Sequence, residues 1–109
     1  MKIVTLQDFF KLPAGTIYSD YEPAICAGPS RKGDTCALEN GEPFDFFYAS
    51  VIAECYSESF TRENDLAPTV DDIETRWGLY DGDAQFAVYE PADLEVMRKL
   101  LFGTLNQNQ

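Results

Sequence analysis

Apolar positions recur along this chain with two periods, and each period predicts a different kind of element. Leu6, Phe9, Phe10 and Leu12 form one stripe at helical spacing. Thr5-Leu6-Gln7-Asp8 ahead of it has the form of a capping box with Asp in place of Glu. Pro13 and Gly15 stop the stripe, so a short helix is expected over 5–12. Thr16 to Glu22 is β-branched and aromatic and reads as a strand. Ala27-Gly28-Pro29-Ser30 is turn chemistry, and Arg31-Lys32-Gly33-Asp34 reads as a polar loop. Thr35 to Leu38 fits a short strand, and Asn40-Gly41 is a strong turn signal.

The second half continues in the same way. Phe44 to Ala49 is dense in aromatic residues and predicts a central strand. Val51 to Phe60 fits either a continuing strand or a helix, and 61–70, polar and holding Pro68, reads as a loop. Ile73 to Tyr80 alternates most cleanly, with Ile73, Thr75, Trp77 and Leu79 on one face. Asp81-Gly82-Asp83 then predicts a hairpin turn, with Gln85 to Glu90 as the partner strand and Phe86 and Val88 inward. Pro91 opens a final helix. Asp93 and Glu95 lie near its positive end, Arg98 and Lys99 further on. Leu94, Met97, Leu101 and Leu105 share one side, and 105–109 is expected to fray. The expected fold is α+β: a small antiparallel sheet of four or five strands, flanked by a short N-terminal and a C-terminal helix.

Size fits that picture. A chain of 109 residues, 45% hydrophobic with 8 Phe, 6 Tyr and 1 Trp, reads as one domain over 1–109 with one core. No apolar run approaches about 18 residues, and Met1 to Asp8 lacks the apolar stretch of a signal peptide. The expectation is a soluble, cytoplasmic protein with no membrane partner.

Composition narrows the chemistry. There is no His, so no Ser-His-Asp or Cys-His arrangement and no His-ligated metal can form. Cys26, Cys36 and Cys55 are an odd number at wide spacing. They read as reduced, mostly buried thiols rather than a disulfide framework or a zinc site. Acids flanking Cys55 disfavour its thiolate. Asp81-Gly82-Asp83 lacks the remaining ligands of a calcium loop, and Asp71-Asp72-Ile73-Glu74 lacks a nearby Lys for phosphoryl chemistry. Gly28 to Gly33 lacks the spacing of a phosphate-binding loop. The chain is expected to be no enzyme and to carry no cofactor or metal.

Charge is the strongest remaining signal. Nineteen acids stand against eight bases, for a net charge of −11. Ten of the acids fall between Glu39 and Thr75, where Arg62 is the one base. Such a charge repels nucleic acid and attracts a basic protein surface. Glu54, Glu58, Glu63, Asp65, Asp71, Asp72 and Glu74 are the expected partner contacts, with carboxylates standing where phosphates would lie. The alternative is an oligomer, with the aromatic strands as self-interface.

Lys2-Ile3-Val4-Thr5-Leu6, Phe9, Leu12-Pro13, Gly15-Thr16, Tyr18-Ser19, Tyr21-Glu22-Pro23 and, later, Ala87-Val88-Tyr89-Glu90-Pro91-Ala92-Asp93 resemble segments of small acidic phage and prophage proteins. The resemblance implies a bacterial-host cytoplasm. It also implies either an inhibitor of host or defence machinery, of which anti-CRISPR proteins are one group, or an accessory protein of phage assembly. It carries over no site residue.

Overall fold

The structure is a computed structural model, and it describes residues 1–22, 25–52 and 73–107. Strand β1 is Lys2–Thr5, helix α1 Leu6–Phe10, β2 Ile17–Glu22, β3 Ile25–Ala37 and β4 Pro43–Ser50. Strand β5 is Thr75–Arg76, β6 Gln85–Val88 and helix α2 Pro91–Gln107. The fold is α+β. Among the described residues six strands form one antiparallel sheet in the order β1-β6-β2-β3-β4-β5.

Helix α1 forms where its stripe and cap predict. The Thr5 hydroxyl accepts a hydrogen bond from the Asp8 N–H at 3.3 Å, and Leu6, Phe9 and Phe10 are buried. Phe9 is the centre of the core. Its ring stacks on Phe86 of β6 at 4.2 Å and meets the edges of Tyr18 of β2 and Phe46 of β4 at 4.7 and 4.9 Å.

These rings show how far the sheet curls. Phe86 and Phe46 sit on strands three positions apart, about 14 Å in a flat sheet at normal strand spacing. Their ring centroids are 5.9 Å apart. Both face the same concave side, and α1 plugs it.

Strand β3 runs through the turn expected at 27–30 and the loop expected at 31–34. It runs unbroken for 13 residues because two β-bulges absorb the turn residues. The first lies opposite Tyr18–Asp20 and takes up Gly28, with φ +120° and a Cβ position 3.3 Å from the Ser19 hydroxyl. Only glycine suits that backbone and that approach. The second lies between Lys32 and Thr35 and takes up Gly33-Asp34. The short strand expected at 35–38 is therefore the end of β3. The Asn40-Gly41 turn and the aromatic strand β4 form as expected, Leu38 N–H bonding to Glu42 C=O at 2.8 Å.

The expected hairpin over 73–90 does not form. Of the predicted strand only Thr75 and Arg76 are paired, to β4 and not to β6. Trp77 turns inward instead. Its ring stacks on Phe46 at 5.1 Å, gaining burial that a flat hairpin would deny it. Gly78 and Tyr80 have φ of +64° and +52°, and the chain crosses the concave face to reach β6 beside β2. The Asp81–Asp83 turn itself forms, with Ala84 N–H bonded to Asp81 C=O at 3.1 Å. Ile73 and Leu79, expected on one face with Trp77, do not follow it into the core and are 72% and 70% exposed.

Helix α2 starts at Pro91 as expected and runs through Gln107, past the point where fraying is expected. Asp93 accepts from the Glu90 N–H at 2.8 Å and from the Met1 ammonium group at 2.8 Å, which fixes the first turn. The sheet does not cover its apolar side chains. Leu94, Val96, Leu100, Leu101 and Phe102 are exposed. Among the described residues no helix is long and apolar enough to cross a membrane.

Candidate functional site

Of the seven carboxylates expected to bind a partner, Glu54, Glu58, Glu63, Asp65, Asp71 and Asp72 lie outside the described residues. Glu74 is described. Its carboxylate covers Gly33 of β3, where a Cβ would otherwise sit. It lines a recess of about 270 Å³ together with Arg31, Lys32 and Asp34. That surroundings is mixed in charge, not a uniformly negative face.

The described acids that do converge are others. Along β2, Tyr18, Asp20 and Glu22 point to the concave side by strand alternation. Tyr18 joins the core, and Asp20 and Glu22 continue the face beyond it. The crossing segment brings Trp77, Leu79, Asp81 and Asp83 over against them. Between the two lies a groove of two adjoining parts, about 450 and 280 Å³, sharing Asp20, Ala27, Trp77 and Leu79. Four carboxylates line it, and no Lys or Arg does so among the described residues. Composition over 39–75 does not point to these residues. The usable signal is local: acids at 20 and 22 in register with Tyr18, and a turn with acids at both ends.

The environment acts on these groups. Burial pushes the Asp20 pKa up, although the residue keeps contact with solvent. Burial also raises Tyr18 strongly, with Asp20 and Tyr48 adding to it and a Ser30 hydrogen bond opposing it. A positive group placed beside Asp20 would relieve its cost of ionisation. The groove lining is thus negative, with the Trp77 ring and Leu79 as its apolar part.

Two buried charged residues hold the surroundings in place. Asp45 of β4 is fully buried and accepts from the N–H groups of Phe46 and Gly78 at 2.9 and 3.0 Å, and from Arg76. It ties the crossing segment to the sheet. Burial opposes its charge, but these donors outweigh it and hold its pKa below the usual range. Lys32 of β3 is 1% exposed. Its ammonium group donates to the Thr35 hydroxyl at 2.7 Å and the Gly33 carbonyl at 3.1 Å, and lies 5.9 Å from the Phe9 ring centre. Thr35 in turn donates to the Phe10 carbonyl at 2.9 Å, fastening the end of α1.

Among the described residues no group of three or more Cys, Asp or Glu is placed to hold a metal ion. Cys36 is a free, half-buried thiol. Comparison with known proteins gives no matching family, no matching curated protein and no matching solved structure.

Proposed function

We propose that this chain is a non-enzymatic binding protein whose acidic groove takes a basic surface of another protein. The observation that carries the reading is the groove lining: Asp20, Glu22, Asp81 and Asp83 around Trp77 and Leu79, with no base among its described residues. Exposed carboxylates attract and orient a basic partner from a distance. The indole and Leu79 accept the apolar stem of an Arg or Lys side chain once it enters. The chain's net charge of −11 adds a field of the same sign. A basic surface on which a nucleic acid would lie matches this description, and a phage inhibitor that occupies such a surface is the biological setting the sequence resemblance implies.

The test is capture of partners by the tagged chain at low and high salt, followed by titration of the captured partner. Trp77 is the one tryptophan, so its fluorescence reports directly on the groove. Reversing Asp81 and Asp83 to Lys is expected to weaken binding at least tenfold and flatten its salt dependence. A second variant reverses Glu54, Glu58, Glu63, Asp65, Asp71 and Asp72. If only the second loses binding, the contact lies in 54–72 and not in the groove. If neither does, the electrostatic reading fails.

A further inference from the structure

We infer, resting on that reading of the groove, that its inner part is an arginine pocket, which takes the guanidinium head of a side chain whose stem lies along Trp77 and Leu79. The sheet register builds this pocket. Tyr18 of β2 lies opposite Ser30 of β3, and Ser30 lies opposite Ser50 of β4. Three hydroxyl-bearing residues thus stand in one row across adjacent strands, about 4.8 Å apart from strand to strand. Strand alternation sets Asp20 next to Tyr18 along β2, and Tyr48 next to Ser50 along β4, on the same concave face. These side chains line the inner part, about 280 Å³, and the crossing segment supplies Trp77 and Leu79 as its other wall. Asp20 is the one carboxylate there, and no Lys or Arg lines the pocket among the described residues. The outer part differs. Glu22, Asp81 and Asp83 line it, and among the described residues Tyr21 brings its one hydroxyl.

That division separates two kinds of cation. An ammonium group is a compact, strongly hydrated charge, and exposed carboxylates such as those of the outer part suit it. A guanidinium is planar, more weakly hydrated, and carries five N–H donors that need acceptors around its edge. A carboxylate accepts two of them in parallel, and a hydroxyl keeps acceptor capacity even while it donates elsewhere. Asp20 with Ser30, Tyr48 and Ser50 meets that demand. An anionic ligand would instead face Asp20 with no base to compensate it. Burial makes ionised Asp20 costly, and arginine is the partner that cannot surrender its proton in response. Asp20 lines both parts, so a side chain entering over Leu79 reaches it with its head in the inner part.

The probes are two capped peptides of equal charge, Arg-Gly-Arg-Gly-Arg and Lys-Gly-Lys-Gly-Lys. Each is titrated into the full chain at low salt and read by calorimetry and by Trp77 fluorescence. The Arg peptide is expected to bind about tenfold more tightly than the Lys peptide. Ser50→Ala with Tyr48→Phe is expected to cut that ratio to about twofold by weakening the Arg peptide alone. Unchanged affinity for the Lys peptide in this variant shows that the groove stays folded. Equal affinity of the wild type for both peptides overturns the arginine pocket and leaves the basic-partner reading standing. An Arg preference that survives the loss of both hydroxyls also overturns it, because the preference then arises outside the inner part. Binding of neither peptide overturns the pocket as well, and titration of the captured partner then decides the wider reading by itself.

Discussion

Asp45 and Arg76 are joined at one carboxylate oxygen. Arg76 Nε and Nη2 lie 3.0 and 2.9 Å from Asp45 Oδ2, while the other oxygen accepts the N–H groups of Phe46 and Gly78. A single buried side chain thus fixes the two residues on either side of Trp77. The guanidinium is half exposed and also donates to the Tyr80 hydroxyl at 3.1 Å. The asymmetry decides what each substitution does. Arg76 can be hydrated when its partner is removed, but the Gly78 and Phe46 N–H groups lose their acceptor.

Asp45→Ala is therefore expected to destabilise the fold by about 3 kcal/mol, read by urea denaturation. Arg76→Ala leaves the buried Asp45 Oδ2 without its cation while Oδ1 keeps the Phe46 and Gly78 N–H groups, and is expected to cost about 2 kcal/mol. Asp45→Ala should also shift Trp77 emission to the red as the indole leaves Phe46. The pH dependence has a definite sign. A carboxylate held below its ordinary pKa contributes stability that is full above the unfolded value and is lost as pH falls through the folded one. The wild type should lose stability below about pH 4, and Asp45→Asn should flatten that fall. Equal stability of the Asp45 variants and wild type at neutral pH would show that the crossing segment is held by something else.

Lys32 makes the opposite kind of contribution. Its ammonium group has hydrogen bonds but no carboxylate within 4.0 Å among the described residues. Burial lowers its pKa, and Asp34 and Cys36 oppose that only in part. A base held below its ordinary pKa penalises the fold while protonated, so this penalty fades as pH rises through the folded value toward the unfolded one near 10.5. Lys32→Met replaces a buried charge by an apolar chain of similar length. It is expected to stabilise the protein by about 1 kcal/mol at pH 7 and to flatten the rise toward about pH 10. A loss of more than about 1 kcal/mol would instead show that the Lys32–Thr35–Phe10 relay outweighs the charge penalty.

The parts of this fold that were legible in sequence are those decided by neighbours. The α1 cap needs Thr5 and Asp8, and the start of α2 needs Glu90, Pro91 and Asp93. Strand β4 announces itself by aromatic density. What was not legible depends on distant partners. Gly28-Pro29 and Arg31-Lys32-Gly33-Asp34 look like breaks, and they become bulges only because β2 and β4 supply hydrogen bonds on both sides. The alternation over 73–80 looks like a full strand, but Asp45, 31 residues earlier, captures Arg76 and redirects the chain. The groove depends on distant partners in the same way. Charge density along the chain highlights 39–75, whereas folding sets Asp20 and Glu22 opposite Asp81 and Asp83.

Gly28 and Gly103 give a paired test of backbone demand. At Gly28, φ is +120° and an added Cβ would lie 3.3 Å from the Ser30 N and the Ser19 hydroxyl. Gly28→Ala is expected to cost about 2 kcal/mol, from strain and from displacing Ser19, which bonds to the Tyr89 hydroxyl at 2.8 Å. Gly103 lies within α2 with nothing within 4 Å of its Cβ position. Gly103→Ala is expected to raise helix content, with a gain of up to about 1 kcal/mol. Thermal denaturation and circular dichroism check both. Tolerance of Ala at 28 would show that the first bulge is not required for strand β3 to stay continuous.

Asp20 links the groove to pH. Its pKa is raised by burial, so the folded chain binds its proton more readily than the unfolded chain does. The sign is opposite to that of Asp45: ionised Asp20 costs stability above its folded pKa, and the cost is relieved as pH falls through that value toward the unfolded one. Asp20→Asn should then be neutral or stabilising by up to about 0.5 kcal/mol at pH 7. For binding, the expectation reverses. A cationic side chain in the groove favours the ionised carboxylate, so it lowers the Asp20 pKa and releases a proton over the window between the free and bound values. Affinity for a basic partner should fall as pH drops through that window, and Asp20→Asn should both weaken binding at pH 7 and remove that part of the pH dependence. Calorimetry in two buffers of different ionisation enthalpy reads the released proton directly. Binding that is indifferent to Asp20→Asn would place the cation elsewhere and leave Asp20 as a destabilised surface carboxylate.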